Sequence, residues 1–134
     1  MPQFRIKEAA DLLGVSDDTV RRWVDAGDLD AHADDAGRKV VDGADLARLA
    51  ATHARPTPDP SGVTRSARNR FVGLVTDVVS DRVMSQVEML SGGQRVVSLM
   101  STEAVRELRL EPGSLAVAVV KATNVIVETP GGTA

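Results

Sequence analysis

Residues 54 to 64, ARPTPDPSGVT, hold three prolines and a glycine and almost nothing apolar. Proline fixes φ and withholds an N–H, so the stretch suits neither a sheet interior nor a helix interior, and an extended, semi-stiff path follows. On its N-terminal side apolar residues recur with the period of a helix, and on its C-terminal side mostly with a period of two. The sequence therefore predicts two small domains, 1–54 and 65–129, joined by a linker at 55–64, with a frayed tail at 130–134. Domains this small bury proportionally little surface, which favours assembly.

In the first half, Ile6, Ala9, Ala10, Leu12 and Leu13 form one apolar helical face that Gly14 interrupts. Ser16 is a good N-cap for a second helix through Trp23 and Val24, with Asp17 and Asp18 where the helix dipole favours acids and Gly27 as its terminator. Residues 29 to 41, LDAHADDAGRKVV, read as a small hairpin, and Asp42 caps a third helix with Leu46 and Leu49 inward. Trp23 follows the buried face. The first four residues carry no usable pattern.

The second half is rich in valine. FVGLVTDVVS (71–80), VMSQVEML (83–90) and RVVSLM (95–100) predict three antiparallel strands, STEAVREL (101–108) a short helix capped at Ser101 or Thr102, and EPGS a turn. LAVAVVKA and NVIVE bring the count to five strands. The fold class is α+β in two domains: a mainly α winged helix-turn-helix, then a small OB-like antiparallel barrel.

The chain has no cysteine, which removes disulfides and thiol chemistry, and no stretch approaches the roughly 18 apolar residues of a membrane span. A cytoplasmic location without membrane contact is the expectation. Net charge is −3, divided as −4 over residues 1–54 and +1 over residues 65–134, which argues against coating nucleic acid by bulk charge. His32 and His53 lack partners at ligand spacing, and no triad or carboxylate pair stands out. Neither an enzyme nor a site for a metal cation or a nucleotide is expected. LSGGQR (90–95) matches the signature of ABC-transporter ATPases, but no GxxxxGK[ST] loop accompanies it and Ser-Gly-Gly between valine-rich strands reads as a hairpin turn.

FRIKEAADLLGVSDDTVRRWVDAGDL resembles the small winged helix-turn-helix domains of the excisionase and MerR type over roughly residues 4 to 50. By that resemblance Ser16, Thr19, Arg21 and Arg22 would face DNA, while Arg38 and Lys39 on the wing would meet phosphates. Asp17 and Asp18 depart from the family, which often carries basic or neutral residues there.

SARN at 66–69, EAVRELRLEPG at 103–113 and VVKATNVIV at 119–127 resemble the molbindin, Mop or TOBE domains in register over nearly the whole second half. The residue types suit a tetrahedral oxyanion. Arg68 and Lys121 offer charge-assisted donors, Ser66, Ser101 and Thr123 offer hydroxyls, and the backbone N–H groups of Ala67 and Ala122 lie beside small side chains. A fully deprotonated dianion needs only donors, whereas partly protonated phosphate also wants an acceptor. The resemblance implies molybdate or tungstate between subunits, with Ser66, Ala67, Arg68, Lys121 and Ala122 from one chain and Ser101 from another. Ala104 stands where the family commonly has a second hydroxyl. Together the two resemblances imply a homo-oligomeric (dimer or hexamer), oxyanion-responsive transcription regulator on an inverted-repeat operator. A molybdate storage or buffering protein is the alternative.

Overall fold

The computed structural model describes residues 2–54, 58–62 and 67–130. The chain divides into two compact units, Met1–Arg55 and Pro56–Ala134.

In the first unit helix α1 (Ile6–Leu13) ends because Gly14 turns left-handed at φ 67° and lets the Val15 N–H reach back to Ala10 O at 3.0 Å. Helix α2 (Asp17–Asp25) starts where the Ser16 hydroxyl accepts the Thr19 N–H at 3.1 Å. Strand β1 (Gln3–Arg5) precedes α1; strands β2 (Ala31–Ala33) and β3 (Lys39–Asp42) form the wing hairpin, and helix α3 (Gly43–His53) follows. The sheet order is β1-β3-β2, all antiparallel. The opening residues are thus structural, contrary to the sequence reading: Gln3–Arg5 pair with Val40–Asp42, and Phe4 packs on the core. Three residues are too few to show a period, and their partner lies some 37 positions away. The core comprises Ala9, Ala10, Val20, Leu29, Val41, Leu46 and Leu49, with Trp23 half-buried against it and near His53.

The second unit is one antiparallel sheet of β4 (Asn69–Ser80), β5 (Met84–Ser91), β6 (Gln94–Ser101) and β7 (Leu115–Val120), in the order β6-β5-β4-β7. A bulge between Val75 and Asp77 bends the long strand β4, as an extra unpaired residue does. Gly73 lets β4 and β5 approach: a Cβ there would stand 2.0 Å from the Leu90 carbonyl oxygen. Helix α4 (Thr102–Leu108) joins β6 to β7 and buries Val105 against Val75 and Val87. LSGGQR forms the β5–β6 hairpin, with Gly92 and Gly93 at positive φ.

The fold is OB-like, but the sheet has four strands among the described residues and not five. After β7 the chain makes a 3-10 turn (Ala122–Asn124), and Val125, Ile126 and Val127 stay 46%, 85% and 84% exposed with no strand pairing. Their sequence has strand propensity, but a strand is made by its neighbour, and none lies beside them here. Strands β6 and β7 are therefore both sheet edges, and an apolar cleft of about 700 Å3 runs between them, lined by Val97, Leu99, Leu115 and Val117 among others.

Candidate functional site

The entry to β4 and the exit from β7 lie side by side, because antiparallel pairing sets Asn69 opposite Val120. The Asn69 carboxamide ties the two together by donating to the Val120 carbonyl at 3.1 Å. Arg68 stands one residue before that pair and Lys121 one residue after it. Arg68, Lys121, Ala122 and Thr123 line one open depression of about 270 Å3. All four offer donors and none is a carboxylate: a guanidinium, an ammonium, a hydroxyl and main-chain N–H groups. The turn's own hydrogen bonds, from Asn124 N–H to Lys121 O and from Val125 N–H to Ala122 O, leave the Ala122 and Thr123 N–H groups unspent by that turn. The arrangement can take a small anion that carries no proton.

The other expected ligands are placed differently. Ala67 is half-buried next to Arg68 but does not line the depression. Ser66 lies outside the described residues. Ser101 sits at the N-terminus of α4, where its Oγ accepts the Ala104 N–H at 3.1 Å; it too does not line the depression of its own chain. That bond occupies a lone pair and leaves the hydroxyl proton available to donate.

Sequence reasoning missed the network that holds Ser101. Ser85 and Thr102 are almost fully buried, and their hydroxyls meet at 2.8 Å; Ser80 bonds Ser85 at 2.6 Å, and Thr102 Oγ1 donates to Asp81 O at 2.9 Å. The chain of hydroxyls fixes where α4 begins. Ser80 and Ser85 lie inside strand-like runs and Thr102 at a helix start, where small polar residues look solvent-facing, so only alternation against the buried valines could have flagged Ser85.

In the first unit Ser16, Thr19, Arg21 and Arg22 lie at the start and on the outer face of α2. The Ser16 and Thr19 hydroxyls meet at 3.0 Å, and Arg22 Nη2 donates to Thr19 Oγ1 at 3.1 Å. Both arginines are exposed. Asp18 departs from the resembled pattern with a consequence: its carboxylate pairs with Arg21 at 3.2 Å on an exposed surface, where such pairs are weak and easily exchanged. On the wing, Asp34 organises the turn by accepting from Ala36 N–H, Arg38 N–H and Arg38 Nε at 2.9, 2.8 and 3.0 Å. Those bonds, the Arg38 N–H first, hold its carboxyl below the usual range. Lys39 is exposed at the start of β3.

The TOBE domain matches residues 65–127, and a helix-turn-helix domain matches residues 4–54. Molybdenum-pterin-binding protein 2 of Clostridium pasteurianum is 35% identical over 63 residues, which are 46% of this chain and 93% of that protein. The chain belongs to the TOBE family. The molybdenum transport protein ModE of Herbaspirillum seropedicae is 37% identical over 65 residues, 48% of this chain and 24% of that protein, so the chain spans about a quarter of that relative's length. Among solved structures, the cytoplasmic molybdate-binding protein ModG, in a molybdate-bound form, is 44% identical over 54% of this chain and 52% of its own, with a TM-score of 0.50. The depression lined by Arg68 and Lys121 belongs to the TOBE unit, and the α2 face belongs to the helix-turn-helix unit. No helix among the described residues is long and apolar enough to cross a membrane.

Proposed function

We propose that this chain is a cytoplasmic, molybdate- or tungstate-responsive DNA-binding regulator and not an enzyme. The observation that carries the reading is the pairing, in one polypeptide, of a donor-rich, carboxylate-free depression at Arg68, Lys121, Ala122 and Thr123 with a helix-turn-helix that exposes Arg21 and Arg22. Ser66 and Ala67 would complete the anion's near side. The TOBE relatives named for molybdenum or molybdate support the choice of oxyanion.

Assembly is part of the reading. The open edges of β6 and β7, the exposed Val125–Val127 segment and a Ser101 hydroxyl that does not line the depression of its own chain all favour a homo-oligomer, dimer or hexamer, in which a second chain supplies Ser101. A symmetric pair would present two α2 helices to an inverted-repeat operator, with Ser16, Thr19, Arg21 and Arg22 toward the bases and Arg38 and Lys39 on phosphates. The anion changes DNA affinity only by as much as it prefers one arrangement of the pair. Fluorescence anisotropy on operator DNA, with and without saturating molybdate, tests the role: a shift in affinity is expected, and an unchanged curve ends the sensor reading.

Storage is the second reading, favoured by the match along 93% of a stand-alone relative and by the Asp18–Arg21 pair, which spends reader charge internally. Arg22→Ala separates the two. A regulator loses specific DNA retention in a gel shift, and a storage protein shows no specific band in either form.

A further inference from the structure

The linker does not hang free of the second unit. Asp59 and Ser61 fold onto β4 through Arg70, whose side chain is only 18% exposed. Arg70 Nε binds the Asp59 carboxylate, and Arg70 Nη2 donates to Ser61 Oγ at 2.6 Å. Ser61 in turn gives its N–H and hydroxyl to Asp59 Oδ1 at 2.9 and 2.7 Å. The Arg70 bond first, and then Ser61, keep the Asp59 carboxyl well below the usual carboxylate range, so the group stays charged at neutral pH. Arg70 Nη1 is buried with no hydrogen-bond partner among the described residues. One positively charged side chain thus holds a carboxylate in much the way the neighbouring depression would hold an anion.

The two sites are close. Arg70 pairs with Val119 and Asn69 with Val120, so the cluster sits two register steps from the Lys121 end of the depression. Two residues of extended chain, Arg68 to Arg70, span about 7 Å, which is inside the Debye length of about 8 Å at physiological ionic strength. We propose that Asp59, clamped by Arg70 and Ser61, is an affinity-setting residue of the oxyanion site: a dianion bound at Arg68 and Lys121 repels the Asp59 carboxylate and loosens the linker, and the clamped carboxylate weakens the anion in return. This rests on the oxyanion reading given above. The coupling is reciprocal, because a factor by which the anion destabilises the clamp is the factor by which the clamp lowers anion affinity. It gives the linker, whose other end enters the helix-turn-helix unit, a way to register occupancy.

The test uses the full chain in wild-type, Asp59→Asn and Asp77→Asn forms. Asp77 is exposed on the same strand, about 23 Å beyond Arg70, so its loss controls for net charge. Calorimetric titration with sodium molybdate should show Asp59→Asn binding about three- to tenfold tighter than wild type at low salt, a gain that fades in about 0.5 M NaCl, with Asp77→Asn within twofold of wild type. In parallel, subtilisin cleavage within residues 54–64, followed by intact mass, should be faster for Asp59→Asn without anion, and molybdate should bring wild type toward that rate. Wild type that binds molybdate with an affinity and linker cleavage indifferent to Asp59 overturns this proposal alone. Wild type that binds no molybdate overturns the oxyanion reading and this proposal with it.

Discussion

Arg68 and Lys121 are 53 positions apart in the chain, and one carboxamide brings them together. Asn69, bonded to Val120 O, holds the β4 entry against the β7 exit, so the cations meet because of strand register and not because of their own attraction. Removing either should cost one charge-assisted contact, about 1.5–3 kcal/mol, or roughly 10- to 150-fold in molybdate affinity by calorimetry, with circular dichroism unchanged. The residue types were legible in the sequence because donors without carboxylates suit a proton-free anion. Ser101's position was less so: the hydroxyl chain Ser80–Ser85–Thr102 that places it is assembled across β4, β5 and α4. Thr102→Val leaves the buried Ser85 hydroxyl short of a partner and should lower unfolding stability by about 1–3 kcal/mol, seen as a lower urea midpoint at unchanged slope.

At the scale of elements, helices were easier to read than sheets. The α1–Gly14–Ser16–α2 segment is dictated by local signals that follow one another along the chain, and Ser16→Ala should cost about 1 kcal/mol because only the cap is lost. Strands depend on partners far away, so the short β1 escaped notice and the NVIVE strand was expected where no pairing forms. Gly73 makes the same point. In sequence it is a glycine interrupting a strand, yet in space it is where β4 meets the Leu90 carbonyl. Gly73→Ala should destabilise by at least about 2–3 kcal/mol, measured by chemical denaturation. The β4–β5 turn offers a pH-dependent check. Asp81 accepts from the Met84 and Val83 N–H groups at 2.8 Å each, which lowers its pKa. A depressed carboxylate stabilises the fold above its unfolded pKa, and that contribution is lost as pH falls through the folded value. Asp81→Asn should therefore flatten the acid limb of a stability–pH curve below about pH 4.

For the whole molecule, the prolines mark a change of chemistry along the chain, but composition could not show that Asp59 and Ser61 are held by Arg70, because that contact joins linker to strand. The single tryptophan, Trp23, lies in the first unit, and this allows the units to be followed separately. Molybdate at a hundredfold excess over its dissociation constant should stabilise the TOBE unit by about 2.7 kcal/mol. The calorimetric transition should rise while the Trp23 fluorescence transition stays in place.

The sheet order β6-β5-β4-β7 puts Ser101 at the end of one edge strand and Lys121 just after the other. If the Ser101 hydroxyl comes from a second copy, half-saturation becomes a function of two concentrations, that of the anion and that of the protein itself. Serial dilution of the protein should then move the molybdate midpoint upward, and a cell that makes more of the chain would answer to less of the metal. Gene dosage would be part of the set point.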